Sequence, residues 1–172
     1  ELKGLVSDLR KSNPKTCLLW EPSPDHMKCE ATEYRELLHQ ISIFSPDIDQ
    51  AAALTDLEDV SEMASVFVDW GAKIVAIRMG ERGSYLATSD GNAWLIPAVA
   101  KKIVDVTGAG NAYCGGMLVS VADGIEISEA ALRASVSASF ALEQFGVPKF
   151  GDNLVEEAMS RLTWARQQIV EC

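Results

Sequence analysis

Residues 105–116 read "DVTGAGNAYCGG", and Gly108, Ala109, Gly110 and Asn111 are the types that suit the holding of an anion. Small residues at the start of a helix point backbone N–H groups outward, where the macrodipole also favours negative charge. Bulkier side chains would keep a phosphoryl oxygen away from those amides. Asn111 completes the turn with an amide, which cannot accept a proton at neutral pH, so binding groups are present without a general base. Taken alone, the same residues also describe a plain structural turn.

The elements that must position such a turn follow from the hydrophobic pattern. "TCLLW" (16–20) is a short apolar run stopped by the proline-rich "EPSPD", as a buried parallel strand would be. Tyr34, Leu37, Leu38 and Ile41 then fall on one helical face, and "ISIF" is a second strand ended by "SPD". Asp59 and Glu62 precede a stripe of Met63, Val66, Phe67 and Trp70 that stops at Gly71, which is the pattern of a capped amphipathic helix. "IVAIRM" (74–79) is a third buried strand. Beyond the turn "GERG", "SYLAT" and "AWLIP" flank "SDGN" as a hairpin at one edge of the sheet.

"KKIVDV" (101–106) returns the chain to the anion-type turn, and "NAYCGGMLVSVA" continues as a helix up to Gly124. Gly115 and Gly116 inside that helix each cost about 1 kcal/mol relative to alanine, which points to close packing or close approach of a ligand. Ser128 is the expected cap of a helix running through Leu132, Val136 and Phe140 to Gly146, and Val155, Ala158, Met159, Leu162 and Ile169 stripe the last helix. This alternation makes the class α/β, with a mainly parallel sheet and flanking helices. Ligands of such sheets bind beyond the carboxyl ends of the strands. Four turns are therefore expected on one rim: "EPSPD", "SPDID", "GERGS" and "DVTGAGN".

Composition narrows the partners. The 172 residues carry 15 Lys and Arg against 25 Asp and Glu, a formal charge of −10, with 48% apolar residues. Neither nucleic acid nor an anionic membrane suits so acidic a chain, and no apolar run reaches the roughly 20 residues of a membrane span. Cys17, Cys29, Cys114 and Cys172 have no metal-ligand spacing and read as reduced thiols, and the pair His26 and Cys29 is too few for zinc. The expected location is the cytoplasm or another reducing compartment, an organelle included. "ELKGLVSDLRKSNPK" reads as the last turns of a helix begun upstream, so a piece of a longer protein is expected.

The ordered pieces resemble the ribokinase, or pfkB, family of ATP-dependent carbohydrate and nucleoside kinases. "DVTGAGNAYCGGMLVSVADG" is similar to the family signature D-T-x-G-A-G-D-x-F. "LWEPSPD" resembles its strand and turn before the phosphates, "IFSPDIDQA" its P-N-x-x-E segment, and "IRMGERGSYL" its T-L-G-x-x-G segment. The likeness runs from about Lys15 to Pro148. It implies a ribokinase-like α/β fold, with residues 1–172 as the C-terminal part of one domain and the sugar-gripping N-terminal part and lid absent. Family dimers commonly use those lid strands, so the resemblance extends to a homodimer of the whole protein.

The resemblance also implies roles. Gly108, Ala109 and Gly110 would form an anion hole for the transferred phosphoryl group of ATP, and Asn111 stands where the family has the aspartate base. Glu21, Arg78, Gly80 and Gly83 would lie along the nucleotide, with Phe140 and Gly146 near the adenine. Asp47 and Gln50 fall in the magnesium-supporting segment, and the loop of Asp105 and Thr107 would border a monovalent cation such as K+. The departures cluster: Asn111 for aspartate, Asp47 for asparagine, Gln50 for glutamate, Glu21 for asparagine or aspartate, and Arg78 for threonine. Losing a general base costs about 10²- to 10⁴-fold in rate. Phosphoryl transfer can survive that loss, because it depends mostly on positioning and charge stabilisation. Glu21 and Asp47 add negative charge near the expected phosphates, unfavourable unless magnesium or Arg78 offsets it. Three readings stay open at this point: the nucleotide-binding half of a divergent kinase acting on a sugar-like hydroxyl compound, a pseudokinase serving as a nucleotide sensor or protein-interaction module, and an α/β domain that binds no nucleotide.

Overall fold

The computed structural model describes residues 2–23 and 31–172, with Ala31 described by its backbone alone. Pro24 and Asp25 of "EPSPD", and the pair His26 and Cys29, lie outside the described residues. The elements in chain order are α1 (Leu2–Ser12), β1 (Leu19–Trp20), α2 (Ala31–Leu38), β2 (Ile43–Phe44), α3 (Ile48–Thr55), α4 (Val60–Asp69), β3 (Ile74–Arg78), a 3-10 turn (Gly80–Arg82), β4 (Ser84–Thr88), β5 (Ala93–Ile96), α5 (Ala109–Ala122), α6 (Ile127–Leu142), α7 (Leu154–Arg166) and β6 (Val170–Glu171). The strands form one mixed sheet in the order β1-β2-β3-β4-β5-β6. β1 and β2 run parallel, as do β2 and β3, while β5 and β6 run antiparallel. β4 and β5 are neighbours joined through Ser89–Asn92, a connection short enough only for antiparallel strands. This is the α/β class expected from the pattern, and β6 adds a strand beyond the hairpin that periodicity does not reveal.

The chain divides into two compact units, Glu1–Arg78 with Tyr85–Ala93, and Met79–Ser84 with Trp94–Cys172. In the first, apolar helix faces close on short buried strands. Trp20 stacks on Tyr34 at 5.1 Å, and Phe44 meets Phe67 edge-on at 4.9 Å. Tyr34, Leu38, Phe44 and Phe67 are fully buried, as the stripes of α2 and α4 require. α4 starts where Asp59 accepts the N–H groups of Ser61 and Glu62, and it ends as Gly71 turns left-handed at φ 106. α3 was not expected as a helix. Asp47 caps it by accepting the N–H of Gln50, and the Gln50 side chain accepts the N–H of Asp47 in return.

The second unit is built on α5 and α6. A Cβ on Gly116 would stand 2.9 Å from the Cβ of Ser137 and 3.1 Å from the Cα of Ala134, so close helix packing explains that glycine. Gly115 has nothing within 4 Å and no such reason. Three expectations need correction here. α6 is capped by Glu126, whose carboxylate accepts the N–H groups of Ser128 and Glu129, so Ser128 already lies inside the helix. The last stripe holds at Leu162, which is buried, and at half-buried Ala158, but Val155 and Met159 are exposed, Ile169 lies past the end of α7, and the buried side of that helix is Arg161, Leu162 and Ala165. No strand precedes the anion-type turn either. Ile103, Val104 and Val106 are exposed, and the N–H groups of Val104 and Asp105 donate to Leu142 O at 2.8 and 3.2 Å instead of to a sheet.

Candidate functional site

The second unit collects ten of the candidate residues. Gly108 precedes α5 at φ 83, a left-handed conformation that L side chains adopt at about 1–2 kcal/mol, and among the described residues no side-chain hydrogen bond caps the helix there. Ala109 N donates to Val106 O at 3.3 Å and Ala112 N to Gly108 O at 2.9 Å. The amides of Gly110 and Asn111, in the first turn, have no intrahelical acceptor by helix geometry. Gly108 and Asn111 are exposed. The turn thus presents uncapped N–H groups and the positive end of a 14-residue helix.

Asp105 shapes the approach to this turn. Its carboxylate accepts the N–H of Thr107 at 2.9 Å. That bond, the Thr107 side chain and the Gly146 N–H together hold the Asp105 carboxyl below the usual carboxylate range, so the group is an anion at neutral pH. Since Asp105 N also donates to Leu142 O, the loop of Asp105 and Thr107 is brought against the segment that carries Phe140 and Gly146. Phe140 itself borders a cavity of about 240 Å³ together with Lys102, Gln144 and Lys149. Its ring meets Phe150 edge-on at 6.1 Å and carries the Arg161 guanidinium 4.3 Å from its centroid.

Gly80 and Gly83 bracket the 3-10 turn with φ of 61 and 84. Gly83 is dictated by packing, for a Cβ there would lie 1.9 Å from Ile96 O. Gly80 has nothing within 4 Å, so space is open beside it. The Ser84 and Tyr113 hydroxyls share a hydrogen bond of 2.8 Å, which links this turn to α5 two residues beyond Asn111.

Glu21, Asp47, Gln50 and Arg78 belong to the first unit. Arg78 Nη2 lies 2.5 Å from Glu21 Oε1, and Asp47 pairs with Arg78 in a parallel bridge. Gln50 Nε2 donates to Pro22 O at 2.9 Å, while its Oε1 and Asp47 Oδ1 serve the cap of α3. All of these side chains are engaged by protein, and among the described residues no three His, Cys, Asp or Glu side chains gather where a metal could be held. As arranged they do not fit a directly ligated magnesium ion.

Residues 5–150 match the family model described as pfkB family carbohydrate kinase. The chain belongs to the pfkB family. A cytidine kinase of Thermococcus kodakarensis is 34% identical to it over 115 residues, 65% of this chain and 41% of that protein. The bifunctional ribokinase/ribose-5-phosphate isomerase A of Fructilactobacillus sanfranciscensis is 38% identical over 117 residues, 64% of this chain and 22% of that one. Among solved structures, Arabidopsis thaliana ribokinase complexed with ribose and ATP shares the fold at a TM-score of 0.74 and 21% identity, covering 93% of this chain and 51% of its own. This pfkB-family chain therefore has a ribokinase-like fold and spans less than half the length of the two curated relatives. Among its described residues, no helix is long and apolar enough to cross a membrane.

Sequence reasoning passed over one site feature, the buried Arg161. Its Nη1 donates to Ser139 Oγ at 2.6 Å, and its Nη2 meets Glu143 and Glu157, each at 2.7 Å. Glu143 also accepts the N–H of Lys101 at 2.6 Å, so the network steadies the loop that leads to Asp105. The Glu157 to Arg161 spacing of four is visible in the sequence, but burial of the pair is not.

Proposed function

We propose that this chain supplies the nucleotide- and anion-binding half of an ATP-dependent kinase acting on a hydroxyl of a sugar or related small molecule. Family membership supports the reaction class, and relatives described as cytidine kinase and ribokinase support a sugar hydroxyl as acceptor. The observation that carries the reading is the uncapped start of α5. Gly108 turns left-handed with open space beside it, and among the described residues no side-chain hydrogen bond caps the helix there. Held on those amides, the transferred group meets fixed N–H donors as its charge redistributes, the kind of stabilisation on which phosphoryl transfer chiefly depends. Gly80 leaves room for the nucleotide to pass close to the backbone, and Phe140 and Gly146 flank the base. The Asp105 carboxylate, ionised and fixed by Thr107 and Gly146, is the group that would border a monovalent cation such as K+. The remaining half of the protein would bring the acceptor, and a homodimer would form through it.

The second reading, a pseudokinase that binds nucleotide without turnover, is favoured by Asn111. Its amide at the first turn of α5 can donate to or accept from a substrate hydroxyl but cannot take its proton.

The test uses calorimetry on the full-length protein with ATP and ADP, comparing wild type with Gly110→Asp. A carboxylate in the first turn suits the macrodipole, so the melting temperature should hold or rise, while its charge repels phosphate. We expect nucleotide affinity to fall by about tenfold or more, the loss of one charge-assisted hydrogen bond. Unchanged affinity in the variant, or no binding by wild type at millimolar nucleotide, overturns the reading.

A further inference from the structure

One side chain ties together the carboxyl ends of three parallel strands. Arg78 closes β3, and Glu21 follows β1, two strands away at about 4.8 Å per step. The Arg78 side chain crosses that distance: Nη2 lies 2.5 Å from Glu21 Oε1 and donates to Ser45 O, at the end of β2, at 3.2 Å. The Arg78 N–H donates to Pro46 O at 3.0 Å, and Asp47 bridges to the same residue. The Arg78 side chain is 13% exposed and that of Glu21 31%, so water screens this pair less than an ordinary surface pair. A guanidinium has five N–H donors, and the contacts to Glu21 and Ser45 use Nη2 alone. Arg78 Nε is buried without a hydrogen-bond partner among the described residues. A threonine at this position could not reach Glu21, and a cation bound to Glu21 Oε1 would have to displace the guanidinium.

We propose that Arg78 is a built-in counter-ion, standing where a divalent cation would otherwise neutralise Glu21, so that this rim accepts the phosphates of a nucleotide without a metal bridge to the protein. Removing Arg78 leaves the Glu21 carboxylate without this counter-charge, a negative group that repels phosphate and attracts a divalent cation. The nucleotide half of this inference rests on the function proposed above; the metal half does not.

The experiment uses the full-length protein with two probes. Mn2+ alone is titrated against wild type, Glu21→Gln, Arg78→Thr and the double variant Glu21→Gln/Arg78→Thr, the last keeping the charges balanced should Arg78→Thr fold poorly. Wild type is expected to show no saturable Mn2+ binding below millimolar. Arg78→Thr is expected to gain a site, and the double variant to lose it. ATP affinity is then compared in EDTA and in millimolar Mg2+. The two values should agree within about threefold for wild type and differ by about tenfold or more in Arg78→Thr, with the double variant restoring the wild-type ratio. Mn2+ binding by wild type that Glu21→Gln abolishes overturns the proposal, and so does an Arg78→Thr variant that behaves as wild type with both probes. Absence of nucleotide binding alongside the expected Mn2+ pattern overturns the nucleotide reading and leaves Arg78 as the counter-ion.

Discussion

The carbonyl oxygen of Ile96 stands 1.9 Å from where a Cβ on Gly83 would be, and Gly83 holds φ 84. Backbone meets backbone here, so no side-chain rotation relieves the contact. Gly83→Ala is expected to cost about 2–4 kcal/mol of stability, against about 1 kcal/mol for Gly80→Ala, whose φ of 61 is strained but whose surroundings are open. Denaturant titration of both variants checks the difference. Equal losses would mean that the approach to Ile96 is not what demands a glycine.

Asp47 acts first as a helix cap. Asp47→Ala removes the acceptor for the Gln50 N–H and should destabilise by about 1 kcal/mol, whereas Asp47→Ser should retain most of that. The melting temperatures of the two variants, measured in EDTA, separate capping from any metal effect. A loss of stability equal for Ala and Ser would contradict the capping role.

Arg161 is buried between Glu143, Glu157 and Ser139, with its guanidinium over Phe140. Truncating one partner of a buried ion pair leaves uncompensated charge, so Arg161→Ala is expected to cost about 3–5 kcal/mol. Arg161→Met, which keeps the packing volume, should lose less when combined with Glu143→Gln than alone. A double-mutant cycle read by chemical denaturation gives the coupling, and additive losses would refute it.

Glu129 joins α6 to α7. Its carboxylate takes Arg166 through Nε at 2.9 Å and Nη2 at 2.5 Å, and Arg133 at 3.3 Å. The Arg166 hydrogen bonds first, then Arg133, hold its carboxyl below the ordinary 4.5. A pKa lowered on folding stabilises the protein fully above that value and less as pH falls through it toward the folded pKa. Stability should therefore drop from pH 6 to pH 3.5 more steeply in wild type than in Glu129→Gln. Parallel curves would exclude this contribution.

Asn111→Asp places a carboxylate where the family resemblance puts a base. If proton transfer is all that limits turnover, phosphoryl transfer to a panel of sugars by the full-length variant should rise by about 10²-fold or more over wild type. A variant that binds ATP as wild type does and still turns nothing over would favour the pseudokinase reading.

Local chemistry was the legible part. Asp59, the stripe of α4 and Gly71 are all within one helix, so the sequence carries its start, buried face and end. The capping box of Asp47 and Gln50 is equally present in the sequence, but α3 buries only Ala51 among its residues and offers no stripe, so "SPDID" reads as a turn. Ser128 has a residue type favoured at caps, but the Glu126 carboxylate takes the N–H groups of Ser128 and Glu129 and so starts the helix before Ser128. Of the candidate site, the residues of the glycine turn could be named in advance. Their being uncapped could not, for it depends on which neighbouring side chains stay away.

The sequence by itself determined the α/β class, the family and the amide at position 111, because periodicity, motif order and residue chemistry are local or ordered along the chain. Only the tertiary structure decided that Arg78 reaches Glu21, that Gly83 is required by Ile96, and that Arg161 is buried. Each depends on groups 13 to 57 positions apart being brought within a few ångströms, which packing alone can do. The same is true of "KKIVDV", whose apolar residues suggest a strand but stay exposed once Leu142 accepts the amides of Val104 and Asp105.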